Sequence, residues 1–283
     1  MTITHVSDTA RWVAVYRAME SERPDALFRD PFARRLAGAE GEAIVRKMPQ
    51  GRAMAWAMIV RTAVLDEFIQ DAIANRGCGQ VVNLAAGLDA RPWRLALPPA
   101  LRWVDVDFAD VLAYKAGVIG AAPAHCHYEA SAADLTDRAA RTALFARLGA
   151  AGLKTLIITE GLLIYLDPAE VDALGRDLHA VPSFAHWIID LANPTLLQWM
   201  SRGWGRAVAQ GNAPFRFGPA EGLEFFRPAG WQAAMVRWGS DESQRLKREM
   251  RGMWLWRFLS RFHPAEKREQ YRRMSAYALL ERT

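Results

Sequence analysis

Long apolar runs are missing from this sequence: nowhere in its 283 residues is there a stretch able to cross a bilayer. The opening Met1-Thr2-Ile3-Thr4-His5 shows no basic segment leading into an apolar one, so no secretory signal is expected. Cysteine is scarce. Cys78 and Cys126 stand far apart and fit no zinc or redox spacing, which argues against a disulfide framework or a structural metal site. His125-Cys126-His127 sets three metal-binding types side by side, but neighbours on an extended segment point to opposite faces, and no second cluster follows. Lysine is also rare, so the net charge of +5 is carried almost wholly by arginine. The densest basic stretch, Arg245 to Arg273, interleaves its cations with Trp254, Leu255, Phe258 and Leu259 at helical spacing. It reads as an amphipathic helix with a solvated basic face rather than as a nucleic-acid surface. Internal repeats and low-complexity linkers are absent too. The expectation is one soluble, cytoplasmic domain, with no nucleic-acid or membrane partner; oligomeric state is not legible.

What is present is ordinary globular material, 51% hydrophobic and 24% charged, enough for a single α/β domain with elaborations. Ser7-Asp8-Thr9-Ala10 is a plausible cap for a helix through residue 20, with Trp12, Val13, Tyr16 and Met19 on its apolar side. Pro24 and Asp30-Pro31 interrupt the chain, and a short helix through Leu36 is expected. From Arg52 to Ala74, apolar residues recur with helical period until Asn75-Arg76-Gly77 stops them. The character then changes. Gln80 to Leu84 is a short apolar run feeding a small-residue turn, Ala85-Ala86-Gly87-Leu88-Asp89, the pattern of a buried strand and tight loop. Further strands are expected at Leu101–Asp107, His125–Ala130, Thr155–Glu160 and His186–Asp190, with a helix from Ala169 to Ala180 between the last two. Strands alternating with helices predict a doubly wound, mostly parallel α/β sheet. Polar residues gather where the strands end, which is where such sheets bind ligands. After a helical stretch over 195–212, late strands at 232–238 and 274–280 predict an antiparallel pair closing one edge, the intervening helices forming a cap.

The strand-end residues form a chemically specific set. S-adenosylmethionine carries an ammonium, a carboxylate, two ribose hydroxyls and a fixed sulfonium cation. A small-residue turn, Ala85 to Gly87, lets backbone approach such a molecule closely. Asp107, ending the second strand, can accept both ribose hydroxyls, while Asp134 and Glu160 suit the ammonium. Arg61 suits the carboxylate through a two-pronged, charge-assisted contact. Singly, each has a plainer explanation: a helix cap for Asp107, a solvated loop for Glu160, a surface ion pair for Arg61. Their order along the chain, all but Arg61 at strand ends, makes the set persuasive. A nicotinamide dehydrogenase would need further glycines after Gly87, and Leu88-Asp89-Ala90-Arg91-Pro92 does not supply them.

The chain also resembles the leucine carboxyl methyltransferase family, and more closely its bacterial branch that includes carboxyl methyltransferases of aromatic polyketide pathways. The likeness extends to about Asp190. It rests on Ser7-Asp8-Thr9-Ala10-Arg11, Tyr16-Arg17-Ala18 with Glu20, Asp30-Pro31-Phe32-Ala33, Arg61-Thr62, Val82 to Asp89, Asp107 with Val111, Tyr114-Lys115, Asp134-Leu135 and Glu160 to Leu166. The resemblance implies a Rossmann-like methyltransferase sheet that binds S-adenosyl-L-methionine. The chain itself reads as N-terminal helices over 1–76, a cofactor-binding core over 77–194, and cap and closing strands over 195–283, within one domain. It further implies that Arg61 holds the cofactor carboxylate and that the loop at Ala85 and Gly87 passes beneath the methionine part. Asp107 then takes the ribose, Asp134 and Leu135 frame the adenine, and Glu160 lies near the methionine end; Arg17 matches a basic residue at the cofactor's carboxylate less clearly. Two departures stand out. Ala85 replaces the usual first glycine, tolerable if its φ is negative, and Thr136 replaces the arginine of members that methylate a protein C-terminus.

Methyl transfer from a sulfonium is an in-line displacement, so alignment and exclusion of water are the main demands on the protein. A carboxylate acceptor needs no general base. A phenol or alcohol does, and His179 and His186 are the nearby histidines, each with a structural alternative. Tyr165 either orients the acceptor or packs under the sheet. The expected reaction is O-methylation of a carboxylate on a small, acidic, partly apolar molecule. The resemblance lies with carboxyl methylation, no general base stands out beside Glu160, and the cap from Trp199 through Phe226 to Trp256 mixes aromatics with Arg202, Arg206, Arg216 and Arg227. A hydroxyl methyltransferase and a non-catalytic regulator that binds the cofactor stay open as alternatives.

Overall fold

The computed structural model describes residues 7–48, 51–203, 214–250 and 252–283; Trp204 and Arg206, and the side chains of Trp254 and Trp256, lie outside the described residues. Seven strands make one sheet: β1 (Gln80–Leu84), β2 (Arg102–Asp107), β3 (His127–Ala132), β4 (Thr155–Thr159), β5 (Phe184–Ala192), β6 (Trp231–Trp238) and β7 (Ser275–Arg282). Their order is β3-β2-β1-β4-β5-β7-β6. The first five run parallel, and β7 lies antiparallel between β5 and β6. This is the doubly wound sheet with an antiparallel edge pair that the alternation predicts. The chain leaves β1 toward β2 and returns to β4 on its other side, so a crevice opens at the carboxyl ends of β1 and β4.

Helices cover both faces: α1 (Ser7–Ser21), α2 (Ala33–Lys47), α3 (Ala55–Ala74), α4 (Arg91–Arg94), α5 (Ala109–Ile119), α6 (Arg138–Gly149) and α7 (Pro168–His179), followed by α8 (Pro194–Gly203), α9 (Gly239–Arg245), α10 (Met253–Ser260) and α11 (Ala265–Arg272). Strand side chains alternate between two cores, as a pleat of period two requires. Val82, Leu84, Ile157, Trp187 and Ile189 pack on α6 and α7 through Phe145, Leu148, Leu174 and Leu178. Val81, Leu156, Ile158 and Ile188 face α3, whose Val64, Leu65, Phe68 and Ile69 are fully buried. At about 1.5–3 kcal/mol per buried large apolar side chain, α3 is anchored firmly enough to serve as a rigid mount for Arg61. A third cluster joins α1, α2 and the start of α3. Gly77 ends α3 at φ 70°, and the Cys78 N–H donates to Ala72 O at 3.0 Å.

Three expectations need correction. The third strand starts at His127 rather than His125, because His125 turns away, its Nδ1 2.6 Å from Leu95 O. The second helix runs past Leu36 to Lys47, since Gly38 at φ 61° kinks the backbone without ending it. The basic stretch from Arg245 to Arg273 is not one helix: it begins at the last residue of α9 and continues through two short helices, α10 and α11. Lys247 at φ 53°, Gly252 at φ 87° and Pro264 divide it.

Candidate active site

The crevice is the mouth of a cavity of about 1550 Å³. Its floor is the loop after β1, where Ala85 and Gly87 both have φ 53°. The tolerance condition for Ala85 therefore fails: its φ is positive, a left-handed conformation that costs a residue with a Cβ about 1–2 kcal/mol. A Cβ on Gly87 would stand 3.1 Å from the Ala10 Cβ of α1, so a side chain there would meet both a left-handed backbone and a tight contact. Arg17 braces the same loop from α1, donating from Nη2 to Leu88 O at 2.5 Å and from Nε to Asp30 Oδ2 at 2.9 Å.

Asp107 ends β2 beside this loop. Its Oδ2 accepts the Gly87 N–H at 2.6 Å and its Oδ1 the Phe108 N–H at 2.7 Å. Burial raises its pKa, and the two backbone donors offset only part of that. The carboxylate lines the cavity with further lone pairs open to a ligand's hydroxyl groups. On the neighbouring strand, where the Ala133 N–H donates to Asp107 O at 3.0 Å, Asp134 follows β3 and is turned back locally, accepting from the Thr136 N–H at 2.9 Å and hydroxyl at 2.7 Å. Leu135 beside it is half-buried, its carbonyl taking Arg141 Nη1 at 2.7 Å. Thr136 thus has a local role, as a cap for Asp134.

At the other end, Arg61 reaches from α3 to the ends of β4 and β5. Its Nε donates to Glu160 Oε1 at 2.9 Å and its Nη1 to Asp190 Oδ2 at 3.1 Å. Glu160 accepts Arg91 Nη1 on its second oxygen at 2.7 Å, and Asp190 accepts the Gly161 N–H at 2.7 Å. Burial pushes the Glu160 pKa up, but the Arg91 and Arg61 charges outweigh it and hold the carboxyl below its ordinary range. Likewise burial works against the charged form of Arg61, and Glu160 and Asp190 more than restore it. Gly161 at φ 65° leaves the space this requires; a Cβ there would lie 3.2 Å from Arg61 Nη1. Arg91 and Arg94 extend the network to Asp89 and Asp66. In all, three guanidinium groups (Arg61, Arg91, Arg94) meet four carboxylates (Glu160, Asp190, Asp89, Asp66), a net charge of −1. That balance suits a ligand with a net positive charge. Arg61 is no surface ion pair: its side chain is 11% exposed.

Every predicted cofactor residue therefore faces one cavity: Arg61, Ala85, Gly87, Asp107, Asp134, Leu135 and Glu160. Sequence reasoning missed Asp190 and Arg91. The available signal was an acid closing the fifth strand and an arginine two residues after Asp89. Tyr165 also lines the cavity, its ring 5.7 Å from Phe215. The two histidines do not. His179 packs edge-on to Trp231 at 5.8 Å, and His186 sits buried within β5. The expected cap lining is only partly right. Phe226 is core, packed edge to face against Trp187; Arg227 pairs with Glu224, and neither it nor Arg202 lines the cavity. Arg216 reaches the rim and binds Asp167, while Trp199 is an exposed part of the wall.

A sequence model of the leucine carboxyl methyltransferase family matches residues 10–179. A Streptomyces coelicolor protein provisionally named an S-adenosyl-L-methionine-dependent methyltransferase is 41% identical over 179 residues, covering 59% of this chain and 62% of its own. A Mycolicibacterium gilvum protein with the same provisional name is 33% identical over 260 residues, covering 81% and 83%. The chain spans 62% and 58% of the length of the first two curated relatives it matches. Among solved structures, a DUF574 family protein from Streptomyces avermitilis shares the fold, with a TM-score of 0.59, 15% identity and 97% of each chain covered. The matched segment holds Arg61, the β1 loop, Asp107, Asp134 and Glu160, and the chain belongs to the leucine carboxyl methyltransferase family.

Proposed function

We propose that this chain transfers the methyl group of S-adenosyl-L-methionine to a carboxylate of a small, acidic, partly apolar molecule in the cytoplasm, with no nucleic-acid partner. The cavity carries this reading. Pockets of ~300–1,000 Å³ hold one drug-sized ligand, so 1550 Å³ leaves room for an acceptor beside the cofactor. Asp107 would hold the ribose hydroxyls, the Asp134–Leu135 turn would frame the adenine, and the Arg61–Glu160–Asp190 group would take the charged amino-acid end. The bound cofactor supplies an electrophilic methyl on a sulfonium. The protein's share is to align the acceptor oxygen and keep water out, which the wall formed by Met58, Leu162, Ile164, Tyr165, Leu196 and Phe215 suits. No histidine lines the cavity among the described residues, which favours an acceptor already ionised at neutral pH.

The test is product chemistry with a panel of aromatic acids, phenols and alcohols. A carboxylate acceptor of pKa about 4 keeps the rate flat from about pH 6 to 9. It also gives a methyl ester that mild alkali cleaves. An alkali-stable methyl ether, with a rate climbing with pH, would defeat the carboxylate reading in favour of hydroxyl methylation. Binding of the cofactor with no turnover of any class would leave a regulator.

A further inference from the structure

The helix α10 exposes what a folded protein ordinarily hides. Leu255, Phe258 and Leu259 are 47%, 52% and 52% exposed, and Phe262 just beyond them is 78% exposed. Half of the eight large apolar side chains exposed among the described residues fall in these eight positions, so this is a patch and not scatter. Phe258 and Phe262 pack edge to face at 5.9 Å, forming a knob whose two rings support each other. The sequence pattern suggested an apolar side turned inward and a basic side in water. Instead Leu255, Phe258 and Leu259 of that apolar side meet solvent.

Charge identifies the occupant. Arg261 in the same turn, and Lys267 and Arg268 on α11, have no ion-pair partner among the described residues, whereas Arg272 and Arg273 are neutralised by Asp241 and Glu269. Counting Glu266 against the three, the described residues 261–268, at and after the aromatic knob in sequence, carry a surplus of two positive charges. A second copy of this chain on a two-fold axis would bring these cations toward each other. Aromatic and aliphatic side chains flanked by uncompensated cations are instead what the headgroup boundary of an anionic bilayer accommodates. We propose that α10 and Phe262 seat this protein peripherally on an anionic lipid surface. This departs from the expectation of no membrane partner, which rested on the absence of a bilayer-crossing apolar run and does not bear on a peripheral contact. Met253, Ser260, Arg261 and Arg268, on or next to the same two helices, line the cavity. If the acceptor is the partly apolar acid proposed above, it can pass from lipid to cavity along this wall; the lipid contact itself does not depend on that reading.

The full chain is to be sedimented with vesicles of phosphatidylglycerol and phosphatidylcholine, and with phosphatidylcholine alone, at low and high salt. It should pellet with the anionic vesicles, less so at high salt. Phe258→Ser with Phe262→Ser should lower partitioning roughly tenfold or more while cofactor affinity and melting stay unchanged. Lys267→Gln, at a residue outside the cavity wall, should reduce binding to anionic vesicles and leave binding to phosphatidylcholine alone unchanged. Absence of binding to anionic vesicles at low salt, or full binding by the serine variant, overturns the proposal. So does self-association by light scattering that the serine variant abolishes, which would assign the patch to a second copy. Failure here leaves methylation of soluble acids intact and so is distinguishable from failure of the carboxylate reading.

Discussion

Asp107 is held by backbone rather than by a cation, and this makes it the most informative single residue. Losing its charge-assisted hydrogen bonds to a ribose should weaken S-adenosylmethionine by about 2–3 kcal/mol in Asp107→Ala, measured by calorimetry. Its raised pKa, caused by burial, adds a pH signature. A carboxyl whose pKa lies above its ordinary value protonates sooner as pH falls. Cofactor affinity should therefore begin to decline at a higher pH than an ordinary aspartate would give, and Asp107→Asn should flatten that decline. Ala85 offers a test of strain. Relief of about 1–2 kcal/mol of left-handed strain exceeds the ~0.4–1 kcal/mol by which glycine's freedom favours the unfolded chain. Ala85→Gly should thus stabilise the protein by up to about 1 kcal/mol in denaturant unfolding; a loss of stability would mean that the alanine methyl contributes packing that outweighs the strain.

At the scale of elements, what was readable followed from local pattern. Runs such as Thr155 to Thr159 are buried on both faces, so their composition announces a strand. The acids that end β2 and β4 stand out because apolar residues precede them. The partners of those acids were not readable, because Arg91 and Glu160 are 69 positions apart and meet only once β1 and β4 pair. The same distance hid the true state of Arg61. With Arg61 buried between two carboxylates, Arg61→Ala should destabilise the cofactor-free protein by about 3–5 kcal/mol, since it strands buried charge. A surface pair would cost about 0–1 kcal/mol. The pH dependence has a definite sign. The lowered pKa of Glu160 contributes stability that is present above the ordinary carboxylate pKa and lost as pH falls through the lowered one. Removing Arg61 should move acid unfolding to higher pH, and Arg61→Lys should restore it in part because a point charge cannot fork to two acids. An unchanged acid midpoint would detach Arg61 from Glu160.

Across the whole molecule, the cap is tied to the N-terminal helices by a contact that no pattern in the sequence announces. Arg248, just after α9, donates from Nε and Nη2 to both oxygens of Glu20 on α1, at 2.8 to 3.2 Å across 228 positions. Glu20 is fully buried and the Arg248 side chain is 8% exposed. Glu20 also accepts the Leu27 N–H at 2.7 Å, and Arg248 Nη2 donates to Asp25 O at 2.6 Å. Both groups are thus satisfied on several sides, and removing either leaves the other charge buried with only a solvent-exposed partner, Arg23 at 3.7 Å for Glu20 or Asp25 at 3.3 Å for Arg248. Glu20→Ala or Arg248→Ala should each cost about 3–5 kcal/mol, and the double variant clearly less than their sum. Chemical denaturation of the four proteins measures the coupling. Because Ser243, Gln244, Glu249 and Met250 line the cavity on either side of this anchor, loosening it should also raise KM for the acceptor more than Kd for the cofactor. Additive stabilities with an unchanged acceptor KM would show that the pair joins two parts of the chain without holding the cavity's wall in place.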